Sequence, residues 1–315
     1  MSPVRVMIVE DSGVVREHLN RIISADPRLV VAGVAQSGEE AIEMLDSVAP
    51  DVISMDIQLP GIEGFEATRR IMARRPTPIV VVSGIGSGEV NLTMKALRAG
   101  ALAVVEKPVA VSHDDYEAIA GRLCTQLVIM SDVKVIRRRE SDGAHADRNV
   151  CEPPPGVTGV LPFRILAVAA STGGPNALLH LLTGLGPDFR LPIVIVQHMN
   201  PGFMEGFAEW LGSVTPFPAS VVTTSTLLRP GNIYVAPSNR HVAFEGGSVV
   251  PDDSPPVGGH RPSANVLFTS VSRGFGAAVI GILLTGMGED GAAGLSLVRS
   301  AGGYTIGEDE TTAVV

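Results

Sequence analysis

Ser171 is the first candidate for a reactive side chain. It follows an unbroken apolar run and lies shortly before two glycines and a proline. The run Ile165–Ala170 shows no polar alternation, which is typical of a strand buried on both faces. Gly173 and Gly174 permit a tight turn, and Pro175 suits the start of a helix because its missing N–H is not needed there. Ser171 is therefore predicted at the carboxyl end of a strand, beside a helix N-terminus, where open α/β sheets bind ligands.

Three interpretations of this turn compete. In the first, Ser171 is a nucleophile on a sharp elbow. In the second, the Ser-Thr-Gly-Gly backbone cradles a phosphate, since a helix N-terminus stabilises an anion. The third is a glycine-rich turn without chemistry, which is common in this fold class. The turn alone does not separate them.

A histidine and an aspartate follow two later strands in the same half of the chain. His198 comes after the apolar run 191–196, and Asp290 comes after the run 277–284 and a glycine-rich turn. A serine nucleophile needs a base to take its proton, and a carboxylate that orients the imidazole completes the set. The order Ser, His, Asp disfavours the α/β-hydrolase fold, whose order is Ser, Asp, His.

Other assignments of the base stay open at this point. Spacing does not separate His241 and His260 from His198, whereas His180 lies inside the helix predicted after Ser171. Asp290 precedes a glycine and is equally compatible with a turn or a helix cap.

A second group of polar residues falls at strand ends in the first half of the chain: Glu10, Asp11, Asp56, Ser83 and Lys107. Carboxylates crowded at one sheet edge repel one another, and a divalent cation with oxygen ligands removes that conflict. Magnesium suits a site that combines carboxylates with phosphate. Together with the Lys107 charge and the Ser83 hydroxyl, such an edge could stabilise a phosphoryl group on Asp56.

The predicted elements place both groups on parallel sheets. In the first half, strands at 4–9, 30–35, 52–55, 78–82 and 103–105 alternate with helices at 14–25, 38–47, 65–74 and 90–99. In the second half, strands are predicted at 165–170, 191–196, 219–224, 232–236, 241–245 and 277–284, with helices at 176–185, 203–211, 264–273 and 292–300. The alternation predicts an α/β chain of two domains, each a doubly wound and mainly parallel sheet.

The predicted domains are residues 1–125 and 161–315, joined by a linker over 126–160. The linker carries three arginines at 137–139 and three prolines at 153–155. It offers few apolar side chains to bury, which is typical of a connecting segment with a stiff proline stretch.

Composition narrows the classes of function. The 315 residues, 45% of them hydrophobic, suffice for two cores. A formal net charge of −9 argues against nucleic-acid binding as the main function. The two cysteines form neither a disulfide framework nor a metal-ligand spacing, so a reducing cytoplasm is expected. No apolar run approaches the ~18 residues of a membrane span, so direct membrane insertion is not expected.

The first domain resembles the receiver domain of two-component response regulators. The resemblance is carried by Glu10-Asp11, Asp56, Leu59-Pro60-Gly61, Ser83-Gly84 and Lys107-Pro108. It implies a flavodoxin-like (βα)5 fold in which Asp56 accepts phosphate from a histidine kinase. It also implies Mg²⁺ held by Glu10, Asp11, Asp56 and the Gln58 carbonyl, with Ser83 and Lys107 supporting the phosphoryl group. Receivers usually carry an aromatic switch residue three positions before the lysine, where this chain has Val104.

The second domain resembles the catalytic domain of the chemotaxis protein-glutamate methylesterases. The carriers are the segments 170–175, 197–203, 233–237, 260–263 and 284–291. The resemblance implies that Ser171 is the nucleophile, His198 the general base and Asp290 the orienting carboxylate. It implies that Thr172 and the Met287 backbone stabilise the oxyanion, and that ester hydrolysis uses no cofactor.

This chain departs from the methylesterase pattern at two places. Asn265 stands where the family usually has an aspartate, which could alter helix or substrate-loop contacts. The family normally continues beyond Val315 through a Gly-Met-Pro segment and a final helix. The resemblance therefore implies a catalytic domain short of its usual C-terminal end, with apolar surface exposed.

Together the resemblances imply a phosphorylation-controlled serine hydrolase. Its substrates would be glutamyl methyl esters on methyl-accepting chemotaxis receptors, with methanol released and receptor glutamines also deamidated. A chemotaxis histidine kinase would be the phosphodonor, and the unphosphorylated receiver is expected to pack over the Ser171 edge. The alternative is a response regulator whose second domain is a non-catalytic binding or output module. A DNA-binding regulator is disfavoured by the net charge.

Overall fold

The computed structural model describes residues 2–84, 87–108, 113–133, 135, 163–199 and 201–314. The arginines and prolines of the predicted linker, and Cys151, lie outside the described residues. No helix among the residues described combines the length and apolar character needed to cross a membrane.

The first domain is a five-stranded sheet in the order β2-β1-β3-β4-β5. Its strands are β1 (Val4–Val9), β2 (Leu29–Ala35), β3 (Val52–Asp56), β4 (Ile79–Ser83) and β5 (Ala103–Glu106). Its helices are α1 (Gly13–Ala25), α2 (Gly38–Val48), α3 (Gly64–Arg74), α4 (Ser87–Ala99) and α5 (His113–Ser131). All neighbouring strands are parallel, which confirms the predicted flavodoxin-like fold.

Local sequence accounts for these elements. Every residue of β3 and β4 is buried, as expected for central strands covered by helices on both faces. Helix α1 buries Leu19, Ile22 and Ile23, spaced as one stripe of a helix. The Ser12 hydroxyl accepts a hydrogen bond from the Val15 N–H and caps this helix.

The last helix of the first domain passes the boundary predicted at residue 125. Helix α5 continues to Ser131 because Leu127 and Met130 are fully buried and extend the stripe begun by Leu123. All three belong to the core cluster that contains Val6 of β1. The first residues of the predicted linker are therefore helical.

The second domain contains a six-stranded parallel sheet in the order β14-β13-β6-β7-β10-β8. Its strands are β6 (Ile165–Ala170), β7 (Ile193–Gln197), β8 (Ala219–Val221), β10 (Ile233–Val235), β13 (Val279–Leu283) and β14 (Tyr304–Gly307). Its helices are α6 (Gly174–Leu185), α7 (Met204–Val214), α8 (Ala264–Phe275) and α9 (Ala292–Ser300). The sheet confirms the predicted mainly parallel α/β class.

A small antiparallel sheet of three strands accompanies it, formed by β9 (Thr226–Leu227), β11 (His241–Glu245) and β12 (Ser248–Asp252). The sequence pattern predicts β11 but neither of its partner strands. Strand β9 is too short to show a period. Edge strand β14 was also not predicted, because exposed Tyr304 and Ile306 give it no buried apolar run.

Strand β6 occupies the position that organises the second sheet. The chain pairs β7 on one side of β6 and β13 on the other, so the strand order reverses at β6. Ligands bind at such switch points, outside the carboxyl ends of the strands. Ser171, His198 and Asp290 all follow strands of this central trio and meet at one edge.

The two domains pack against each other through helix α4, which contacts α6 and α7. Buried Met94 and Leu97 of α4 belong to the same core cluster as Phe207 of α7. The Asn176 side chain donates a hydrogen bond of 3.4 Å to the Ala101 carbonyl across this contact. The face of the first domain that follows β4 therefore lies against the second domain.

Phe268 holds α8, α9 and β13 together, and its removal tests this packing. The side chain is fully buried, and its Cβ would lie 2.8 Å from a Cβ added at Gly294 of α9. Phe268→Ala is expected to lower the free energy of unfolding of this domain by about 3–5 kcal/mol, through lost burial and a cavity. Urea unfolding followed by the fluorescence of Trp210, the single tryptophan, measures it.

Leu297→Ala is the matched control, since Leu297 of α9 is 48% exposed. Its unfolding free energy should stay within about 0.5 kcal/mol of wild type. Equal losses in the two variants would contradict a core role for Phe268.

Candidate functional site

Ser171 stands directly after β6, where the backbone leaves the sheet. Its N–H donates to the Thr285 carbonyl at 2.9 Å, and its carbonyl accepts from the Gly174 N–H at 2.9 Å. A Cβ at Gly286 would come 2.7 Å from the Ser171 Cβ, so the turn after β13 passes close against the serine. Ser171 is thus held between the start of α6 and the end of β13.

The turn after Ser171 is as sharp as its glycines predict. Gly173 has φ of 77°, in the left-handed region that an L side chain enters at a cost, and it is the N-cap residue of α6. Pro175 lies in the first turn of this helix, where no N–H is needed. The helix N-terminus therefore opens beside the serine.

His198 reaches the same edge from β7. Its N–H donates to the Ala170 carbonyl at 3.0 Å, so the histidine sits beside the end of β6. Its Nε2 lies 3.0 Å from Asp290 Oδ2. Its Nδ1 is buried and has no hydrogen-bond partner among the described residues. The nitrogen opposite the aspartate is therefore the one left to take a proton.

The Asp290 carboxylate accepts hydrogen bonds from three donors in addition to His198. Beside His198, the donors are the Ser263 hydroxyl at 2.7 Å and the backbone N–H groups of Ala264 at 2.7 Å and Asn265 at 3.2 Å. Burial by itself would raise the pKa of Asp290, but these four bonds outweigh it and hold the pKa at about 2. The carboxylate is ionised at neutral pH.

The same bonds place Asp290 at the N-terminus of α8. Ser263 occupies the N-cap position of this helix. Its hydroxyl makes no cap bond to the helix backbone and donates to Asp290 instead. The capping role passes to Asp290, because a carboxylate from a distant loop accepts the N–H groups of the first helical turn.

The structure separates the competing histidines. His241 is fully buried, accepts from the Ser263 N–H at Nδ1 and lies 3.1 Å from the Pro255 carbonyl at Nε2. Both of its ring nitrogens are occupied by backbone groups, so it serves the fold. His180 is exposed on α6. Neither is positioned as a base for Ser171.

His260 does lie at the site. Its ring stacks on the ring of His198, with centroids 4.3 Å apart and planes 7° from parallel. Burial and the neighbouring His198 lower the pKa of His260, although Asp290 opposes them. The neutral form of His260 is therefore favoured, and its ring covers one face of the His198 ring. Spacing in the sequence leaves this residue open, because nothing local indicates a stacking partner 62 positions away in the chain.

Two cavities share Ser171 and His198 in their walls. The smaller, of about 70 Å³, also touches Gly286, Met287 and Asp290. The larger, of about 810 Å³, also touches Thr172. Of the two residues predicted to stabilise an oxyanion, Met287 lines the smaller cavity and Thr172 the larger, and Ser171 lines both.

Asn265, the departure from the expected aspartate, is a helix contact. Its Oδ1 accepts a hydrogen bond of 2.7 Å from the Gly294 N–H in the first turn of α9. An aspartate oxygen would accept the same bond, so the substitution keeps the link between α8 and α9.

The larger cavity lies between the domains. Leu97, Val104 and Arg122 of the first domain line it, facing Ser171 and His198 of the second. Val104 stands where receivers usually carry the aromatic switch residue. That position belongs to the wall opposite the serine.

The first domain gathers its polar residues as predicted from their strand ends. Lys107 Nζ lies 2.9 Å from Asp56 Oδ2 and 3.1 Å from Glu10 Oε2. Asp11 is exposed beside them, and Ser83 is fully buried at the end of β4. Burial raises the pKa of Asp56, and burial together with the Asp56 charge raises the pKa of Glu10 to about 6. The site holds more negative charge than one lysine compensates.

This acidic site fits a hard divalent cation. Carboxylate oxygens of Glu10, Asp11 and Asp56 all lie within 4.8 Å of one another. Glu10 Oε2 is buried and, although ion-paired with Lys107, has no aligned hydrogen-bond donor among the described residues. Oxygen ligands and an uncompensated charge are what Mg²⁺ requires. The Gln58 carbonyl, the fourth ligand expected, stays a prediction.

Comparison with known proteins identifies the relatives of both halves. Residues 166–315 match the family model of the CheB methylesterases, and residues 6–114 match that of the response regulator receiver domains. Protein-glutamate methylesterase/protein-glutamine glutaminase 2 of Paramagnetospirillum magneticum is 47% identical over 99% of this chain and 89% of its own length. Protein-glutamate methylesterase/protein-glutamine glutaminase 3 of Anaeromyxobacter dehalogenans is 44% identical over 99% and 90%.

A solved structure is similar to the second domain alone. The CheB methylesterase catalytic domain of Thermotoga maritima is 33% identical, with a TM-score of 0.47, over 49% of this chain and 83% of its own.

The hydrogen bonds to Asp290 predict an acid dependence of stability. Its pKa falls from an ordinary 3.8 to about 2 on folding, so its stabilising contribution is complete above pH ~5 and is lost as the pH falls toward 2. Between about pH 5 and about pH 3, wild type should lose about 1 kcal/mol more unfolding free energy than Asp290→Asn. Urea unfolding of both proteins, read from Trp210 fluorescence, gives the difference. Parallel pH profiles would refute the assignment.

Proposed function

This chain belongs to the CheB methylesterase family, and we propose that it hydrolyses glutamyl methyl esters on methyl-accepting chemotaxis receptors, releasing methanol. Deamidation of receptor glutamines is the second reaction of the same site, because ester and amide share the carbonyl that a serine attacks. The relatives that are 47% and 44% identical bear the names of both activities. A cytoplasmic location follows from a receptor substrate and is part of the proposal.

The reaction proceeds by acyl transfer. The Ser171 oxygen attacks the ester carbonyl while His198 Nδ1 takes the hydroxyl proton. The tetrahedral intermediate collapses, the bond to the methoxy oxygen breaks, and His198 returns its proton to release methanol. A water molecule then attacks the acyl-enzyme with the same base, which frees the glutamate and restores Ser171.

Asp290 stabilises the imidazolium that forms at each proton transfer. Its carboxylate lies 3.0 Å from His198 Nε2, which leaves Nδ1 to accept the serine proton. In chymotrypsin the two nitrogens have the reverse roles, since Nδ1 faces the aspartate and Nε2 faces the serine. The negative charge that develops on the carbonyl oxygen is assigned to N–H groups beside the serine, with Thr172 and the Met287 backbone as donors.

One observation carries this proposal. His198 and Ser171 line the same cavity, and His198 Nε2 lies beside the ionised carboxylate of Asp290. His198 Nδ1, on the far side of the ring from Asp290, has no hydrogen-bond partner among the described residues. A non-catalytic output module has no need to bury a histidine nitrogen without a partner, since such a group costs free energy.

The receiver controls access to Ser171. Its α4, β5 and α5 contribute a wall of the cavity that contains the serine, and α4 packs on α6 and α7. A substrate as large as a receptor helix cannot enter while this wall stays in place. Phosphorylation of Asp56 by a chemotaxis histidine kinase shifts the population toward an open arrangement of the two domains.

Glu10, Asp11 and Asp56 would hold the Mg²⁺ that this phosphorylation uses, together with the Gln58 carbonyl. The ion supplies neutralisation of the phosphoryl charge. Lys107 already lies within 2.9 Å of Asp56 and stabilises the same charge, while Ser83 offers a hydroxyl at the end of the neighbouring strand.

Replacement of the nucleophile tests the esterase. Ser171→Ala is expected to lower kcat/KM for methanol release from methylated receptor by about a thousandfold or more. His198→Ala should lose a comparable amount, and the double variant should lose no more than the single ones, because the residues act as a unit. His180→Ala is the control, exposed on α6, and should keep wild-type activity. Equal rates of methanol release for Ser171→Ala and wild type would contradict the serine mechanism and favour a second domain that is a non-catalytic output module.

Treatment with a small acyl phosphate tests the regulation. In the full chain with Mg²⁺, methanol release should rise on addition of the phosphodonor, since the receiver wall leaves the serine. Asp56→Asn should keep the basal rate and lose the rise. An unchanged rate in the wild-type chain would refute control by the receiver.

A further inference from the structure

Gln197, which the mechanism does not use, bridges the nucleophile and the base. It is the last residue of β7, and its side chain is 1% exposed. Its Nε2 donates to the Ser171 carbonyl at 2.8 Å and to the His198 carbonyl at 2.9 Å. One amide group therefore ties together the backbones that carry the two reacting side chains.

This bridge begins where the sheet ladder ends. Ala170 and Gln197 form the last pair between β6 and β7, and the His198 N–H makes a final bond to the Ala170 carbonyl. Beyond that point β6 turns into α6, and the β7 chain turns away from the sheet. The Gln197 amide donates to both carbonyls beyond the end of the ladder, and the Ser171 carbonyl also accepts from the Gly174 N–H at 2.9 Å.

Gly174 leaves the space that the amide occupies. A Cβ at Gly174 would lie 2.1 Å from Gln197 Oε1 and 2.8 Å from the Ala170 Cβ. The glycine is required there by the close approach of Oε1. Any side chain at 174 would push the Gln197 amide off its two carbonyls.

We propose that Gln197 is a positioning residue that sets the distance between the Ser171 hydroxyl and His198 Nδ1, and that Gly174 leaves the space in which the Gln197 amide lies. The inference rests on the roles proposed above for Ser171 and His198. The rate of proton transfer depends steeply on the distance between the Ser171 hydroxyl and His198 Nδ1. The contacts that bind the substrate in the cleft do not depend on that distance. Loss of the bridge should therefore act on kcat and not on KM.

Two independent variants remove the bridge. Gln197→Met keeps the length of the side chain and removes the donor. Gly174→Ala leaves the amide chemically intact and displaces it, with a lesser clash against the Ala170 Cβ. In the acyl-phosphate-activated full chain, each should lower kcat for methanol release by about 10- to 100-fold, since a shift of about 1 Å at a reacting group costs that much. KM should stay within about threefold of wild type.

The double variant and a probe of the serine separate positioning from folding. Gln197→Met with Gly174→Ala should be no slower than the slower single variant, because both act through one amide. Labelling of Ser171 by a fluorophosphonate should slow in parallel with kcat, and this readout needs no receptor. Gly184→Ala, on the same helix with open space around it, is the matched control and should match wild type in both assays.

The outcomes are distinct. Variants that melt at lower temperature yet keep the wild-type kcat per folded molecule would show that Gln197 serves stability alone, and additive losses in the double variant would equally overturn the proposal. Should Gln197→Met fail to fold, Gly174→Ala decides the matter by the same two assays. If wild type itself shows no Ser171-dependent methanol release, the proposed function has failed, and this result is recognised before any variant is compared.

Discussion

The partly buried pair of His198 and Asp290 is the interaction on which the second domain's site depends. Burying an ionised carboxylate costs desolvation free energy unless hydrogen bonds compensate the charge. Asp290 is nearly inaccessible to water and accepts four hydrogen bonds, two of them from the first turn of α8. The helix N-terminus compensates the charge independently of the histidine. The imidazole is then free to gain and lose a proton without leaving the aspartate uncompensated.

The two domains solve the same electrostatic problem in opposite ways. Asp290 is satisfied by fixed donors, and its pKa lies at about 2. Glu10 and Asp56 share one lysine, and the pKa of Glu10 rises to about 6. A saturated carboxylate suits a permanent orienting group. An undersatisfied cluster suits a site that takes up a cation and a phosphoryl group, because binding them relieves a charge that the protein leaves unbalanced.

Helix α4 links these two sites. It follows β4, which ends on Ser83 near Asp56, and its other end packs on α6, the helix that starts beside Ser171. Met94 and Leu97 bury apolar surface in this contact. Packed elements therefore connect the end of β4 to the helix that begins beside the serine. Val104, in place of an aromatic side chain, lies in the wall that faces the serine.

The features that could be predicted from the sequence are those that local residue chemistry encodes. Apolar runs and glycine turns predicted the parallel strands and the sharp turn at Ser171, and polar residues at strand ends predicted the acidic site at Asp56. Resemblance added the roles of His198 and Asp290, and the structure brings both to the edge where Ser171 lies. The remaining features depend on contacts between distant segments of the chain, which the sequence does not reveal. Examples are the stacking of His260 on His198 and the hydrogen bonds by which Asp290, from a distant loop, caps α8. Periodicity reports which face of an element is buried, but it carries no information about which distant side chain arrives there, because that choice is made by packing.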